Sequence, residues 1–162
     1  VFGSDDTTQF VIKLNRAKIG EEIMTNIVTN MSHTNKTKVG MKFVKGRIVT
    51  LDFPNKKFFI KNTPDSNLPD ELASFGIAIR PDENGNMIVG SVFDSSPAAI
   101  SQIKPRSRLL AIDDLEFNDP ERSCEYFFTS RQKLYDQNTI KLTLEENDVK
   151  KEVTLNKAIL LD

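Results

Sequence analysis

A chain of 162 residues suits one large globular domain or two small ones, and 38% hydrophobic with 28% charged residues is an ordinary globular composition. Its 22 basic and 23 acidic residues leave a formal charge of -1, so no global field favours nucleic acid, and no basic block stands out along the chain. The longest apolar runs are only a few residues, too short for a membrane span, and the single cysteine, Cys124, excludes an internal disulfide and a cysteine-rich metal site.

Val1 opens a segment with no charged stretch followed by an apolar one, so no signal peptide is expected there. Gln9 to Leu14 reads as a strand, Ile19-Gly20-Glu21-Glu22-Ile23 as a tight turn with Gly20 at positive φ, and Met24 to Val28 as the next strand. The polar stretch that follows holds the only histidine, His33, expected in a solvated loop. Asn30-Met31-Ser32 and Asn35-Lys36-Thr37 fit the glycosylation pattern, which chance explains in so Asn/Thr-rich a segment. Val39 to Val44 and Arg47 to Phe53 read as strands, Pro54 to Lys57 as a turn and Phe58 to Ile60 as a closing strand. Two prolines among polar turn formers mark Asn62 to Asp70 as a linker.

Beyond Glu71, Phe75 to Ile79 reads as a strand with a glycine inside it. Gly76 either flaws that strand or makes Ser74-Phe75-Gly76-Ile77 a loop that receives a ligand's main chain. Asn84-Gly85 signals a hairpin turn leading into Met87 to Phe93. Ser96 caps a short helix with Pro97 at its first position, and Arg108 to Ile112 is a strand ending at Asp113-Asp114. Asp119 caps a long helix opened by Pro120, in which Cys124, Phe127, Phe128, Leu134 and Tyr135 are spaced to share one face. Thr139 to Leu144 and Val149 to Leu155 pair through a turn near Asn147.

That order, from about Leu68 to Leu160, resembles a PDZ domain. Ser74-Phe75-Gly76-Ile77 is similar to the family's carboxylate-binding loop, and Val89 to Ala98 to its strand and "SPA" helix start. Ile103 to Asp114 is similar to its L-x-x-G-D-x-I-L-x-I-N-G segment, with Pro105-Arg106-Ser107 in place of the glycine-aspartate turn and Asp113-Asp114 in place of Asn-Gly. The resemblance implies that the amides of Phe75, Gly76 and Ile77 converge on a peptide's terminal carboxylate. The edge Ile77-Ala78-Ile79 then takes the peptide as an added strand, with Pro120, Cys124 and Phe127 flanking the groove. No histidine stands at the helix start, so an apolar ligand end is expected against Phe75, Ile77, Cys124 and Phe127.

A second resemblance covers the first half. Val39-Gly40-Met41-Lys42-Phe43-Val44, Ile48 to Phe53 and Lys57 to Ile60 resemble the end of a retropepsin-like aspartic protease domain, and Ala17 to Ile23 fits its preceding hairpin. The family's catalytic D-[TS]-G motif is absent; Asp5-Asp6-Thr7-Thr8 lacks the glycine, and Asp52 matches a structural carboxylate, so no catalytic residue is assigned. The expected fold is mainly β with two helices. It comprises a partial β-barrel of aspartic-protease type over 1–62, a linker at 63–70, and a PDZ-like β-sandwich or partly open barrel over 71–162, capped by a short and a long helix. The chain is then the C-terminal part of an aspartic endopeptidase whose D-[TS]-G lies upstream, with a PDZ domain for peptide C-termini or extended segments. A homodimer through the protease half and an exported, cell-envelope location are what family habit implies. No cofactor or metal is implied. The alternative is a stand-alone, non-catalytic peptide-binding or scaffold protein.

Overall fold

Strands dominate because Val, Ile, Phe and Thr recur between turn formers, and the two helices of the second half start where a Ser or Asp cap precedes a proline. The computed structural model describes residues 10–31, 38–66 and 71–161, without the side chains of Lys42 and Pro120. His33, Ser32 and Asn35 to Thr37 of the two glycosylation-type triplets, Asp5 to Thr8 and linker residues 67–70 lie outside the described residues. The chain divides into two units, 1–72 with 161–162, and 73–160.

In the first unit β1 (Phe10–Ile19) and β2 (Glu22–Met31) form an antiparallel hairpin closed by Gly20-Glu21, with Gly20 at φ +61°. β3 (Arg47–Asp52) and β4 (Lys57–Asn62) form a second hairpin, in register from Arg47 opposite Asn62 to Asp52 opposite Lys57. The Asp52 carboxylate holds its turn, accepting from the Asn55 backbone N–H at 3.1 Å and side-chain amide at 2.8 Å. The strand expected at Val39 to Val44 is instead a helical turn, α1 (Met41–Val44). Phe43 N–H donates to Gly40 and Lys45 N–H to Met41, while the Arg47 guanidinium donates to the Phe43 carbonyl at 2.5 Å and lies 4.8 Å over the Phe43 ring. These local bonds outweigh the apolar pattern. The partial barrel expected here is not formed: the described strands make two separate two-stranded sheets, too few strands to curl and close.

In the second unit β6 (Ile77–Pro81), β7 (Met87–Val92), β8 (Arg108–Ile112), β10 (Thr139–Glu146) and β11 (Val149–Asn156) form an open antiparallel sheet. The order is β11-β10-β8-β7-β6, with β9 (Leu115–Glu116) paired to β8. β5 (Leu72–Ser74) pairs with β12 (Ala158–Leu161). The helices are α2 (Pro97–Ile100) and a long one made of α3 (Pro120–Glu125), a π-helical turn (Tyr126–Ser130) and α4 (Arg131–Asp136). Ile140, Leu142 and Leu144 alternate inward along β10 onto a core with Phe75, Met87, Val89, Leu109 and Tyr126. Among the described residues no helix is long and apolar enough to cross a membrane.

Candidate functional site

β6 ends the strand order, so among the described residues no strand pairs with one of its edges. The chain reaches that edge through Phe75-Gly76, which breaks β5 from β6; Gly76 therefore sits in a loop, not in a flawed strand. Its φ is +86°, and a Cβ placed there would lie 2.1 Å from both Cβ and Oγ of Ser96, so only glycine fits. Ser96 is fully buried: its hydroxyl donates to the Phe93 carbonyl at 2.6 Å and accepts the Ala99 N–H at 3.3 Å, capping α2. Ala98 N–H donates to the Phe75 carbonyl at 3.2 Å, Phe93 N–H to the Gly76 carbonyl at 2.9 Å, and Gly76 N–H to the Ser74 hydroxyl at 3.1 Å. The loop and the start of α2 thus fix one another.

Carbonyls alternate in direction along a strand. Since the Gly76 carbonyl bonds toward Phe93 at the end of β7, the Ile77 carbonyl faces the open side, where the Tyr135 hydroxyl donates to it at 3.2 Å. The long helix supplies that tyrosine. Asp119 starts the helix, accepting the Arg122 N–H at 3.0 Å. Tyr126 is buried, edge-on to Phe117 and Phe127 with centroids 5.8 and 5.0 Å away. Burial first, and then the neighbouring Tyr135 hydroxyl, push the Tyr126 phenol well above its ordinary pKa. At the helix end Lys157 Nζ donates to the Tyr135 carbonyl and stands 5.4 Å over the Phe75 ring.

Between β6 and this helix lies an apolar cleft lined by Phe75, Ile77, Ile79, Ile112, Tyr126, Leu134, Tyr135 and Ile140. Its free volume is only about 10 Å³, roughly the space of one water, and the Tyr135 side chain is part of its wall. Of the residues expected at the site, Phe75, Ile77 and Ile79 come together in the cleft, Ser74 and Gly76 build the loop, and Ala78 is exposed. Cys124 is exposed and does not line the cleft. Phe127 is half-buried and packs on Tyr126, and the Pro120 side chain lies outside the described residues. Phe128, expected on the inward face, is 88% exposed.

The π turn explains that shift. It takes about one residue more than an α turn, so Tyr126 and Leu134, eight apart, fall on one face as a pair seven apart would in an unbroken α-helix. A strict 3.6-residue period therefore misses Tyr126 as a lining residue. No protein-family model matches the chain, and no curated protein is found to be similar to it.

Proposed function

We propose that residues 71–162 are a PDZ-type domain that binds the C-terminus or an extended segment of another polypeptide by strand addition to β6. The observation that carries this reading is the pairing of a free sheet edge with an apolar helix-lined cleft, entered through a loop that requires Gly76. A ligand strand laid along Ile77 to Ile79 gains main-chain hydrogen bonds, and its apolar side chains meet the apolar side chains that line the cleft. The loop is held in place from behind by Ser96 and Ala98; since the Gly76 N–H already donates to the Ser74 hydroxyl, the flanking amides of Phe75 and Ile77 are the donors for a terminal carboxylate. Further support comes from the turn at Arg106, which takes φ +71° where the family motif has its glycine.

The first unit is, on this proposal, the end of a retropepsin-like aspartic protease domain, and the protein an endopeptidase whose catalytic aspartate lies upstream. The order of the two motif sets supports it. An in-frame D-T-G or D-S-G in the coding sequence upstream of Val1 is the expected finding, and its absence leaves a non-catalytic peptide-binding protein.

The groove is tested by titrating the isotopically labelled protein with a hexapeptide ending in valine and following backbone amide shifts. The largest shifts are expected at Phe75 to Ile79 and along Tyr126 to Tyr135. Shifts concentrated on β11, the opposite edge of the sheet, would overturn the assignment.

A further inference from the structure

The acceptor that an added strand needs first is already in use. Past the loop, Ile77 presents the first carbonyl on the open side of β6, and the Tyr135 hydroxyl donates to it at 3.2 Å. A carbonyl has two lone pairs, so a shared acceptor is conceivable in the open. Here Tyr135 also forms part of the wall of the cleft beside Ile77 and Ile79, so a strand laid on this edge meets its side chain as well as its hydroxyl.

We propose that Tyr135 is an internal competitor of the ligand: its hydroxyl occupies the Ile77 carbonyl, and its ring must swing away before a strand can pair with β6. The inference rests on β6 being the ligand-binding edge. Three further features fit a displaceable side chain. The bond is longer than the usual O–H···O distance of about 2.7–2.8 Å and is correspondingly weak. Lys157 holds the main-chain carbonyl of Tyr135, so the helix end stays in place while the side chain changes rotamer. The ring meets Phe75 only at a tilted 6.3 Å, short of the close edge-on packing that fixes Tyr126.

The test is calorimetric titration of the valine-ending hexapeptide into the wild-type chain, Tyr135→Phe and the double variant Tyr126→Phe/Tyr135→Phe. Phenylalanine keeps the ring and removes only the competing donor. The dissociation constant of Tyr135→Phe is expected to fall roughly 2- to 10-fold, the range for one neutral hydrogen bond. Because Tyr135→Phe leaves the buried Tyr126 hydroxyl without its polar neighbour, the double variant guards against a stability loss and is expected to tighten equally.

The chain has two tyrosines and no tryptophan, so its ultraviolet emission reports this pair alone. Peptide binding should change the wild-type tyrosine emission as the hydroxyl leaves its carbonyl, and should change that of Tyr135→Phe far less. Unchanged or weaker binding by both variants, or flat wild-type emission while peptide binds, would overturn the proposal. Failure of all three forms to bind any peptide removes the β6 reading itself, and the competitor with it.

Discussion

Gly76 and Ser96 stand 20 residues apart in sequence, yet each is defined by the other. The left-handed backbone at Gly76 and the fully buried Ser96 side chain leave no volume for a methyl group between them. Gly76→Ala should therefore cost about 3 kcal/mol or more, through overlap at 2.1 Å added to an unfavourable φ. Ser96→Gly alone should cost roughly 1–2 kcal/mol, since it frees the α2 cap and the Phe93 carbonyl. In the double variant the overlap is gone, so its loss of urea-unfolding free energy should fall short of the sum of the two single losses by at least about 1 kcal/mol. Strict additivity would show that the loop and α2 do not restrain each other.

At the scale of elements, the long helix keeps its inward face only because the π turn absorbs one residue. Phe128 lies within that turn and is 88% exposed, so deleting it should convert the turn to α-helix and leave Tyr126, Leu134 and Tyr135 facing β6. Deleting Gln132, in the regular α4 turn, should instead rotate Leu134 and Tyr135 by about 100° relative to Tyr126. Thermal unfolding by circular dichroism should show a small shift for the first deletion and a loss of many degrees for the second; equal losses would rule out the slack assigned to the π turn.

The same elements show what a sequence can disclose. Caps were legible because Ser96-Pro97 and Asp119-Pro120 are local chemistry, and the Gly20-Glu21 and Asn84-Gly85 turns because positive φ selects for glycine. Phe75, Ile77 and Ile79 were legible as one face of a strand. Met41 to Val44 was misread because one helical turn is too short to display a period, and its outcome rests on the local hold of Arg47 on Phe43, four residues back, which an apolar pattern does not register. Tyr135 was legible as a helix-face residue but not as the partner of Ile77, since no local pattern encodes a bond across 58 positions.

Across the whole molecule, buried apolar side chains are unevenly shared. Among the described residues of the first unit only Met24 and Phe43 are buried, while Met41, Phe53 and Phe59 are largely exposed on or beside its short hairpins. The second unit encloses a continuous cluster from Phe75 to Leu155. Two-stranded sheets are marginal by themselves, so the units should differ in local stability. Native-state hydrogen exchange should find the β1 to β4 amides exchanging orders of magnitude faster than those of β8 and β10. Equal protection would mean that the first unit is held by more than the packing described.

The ligand reading depends most on whether the loop at Gly76 receives a charged chain end. The decisive measurement is a pair of calorimetric titrations with the valine-ending hexapeptide as free acid and as C-terminal amide. Charge-assisted bonds from the loop amides should make the free acid bind roughly 10- to 100-fold more tightly. Equal affinities for the two peptides would contradict a carboxylate-binding loop and leave β6 as a strand edge without one.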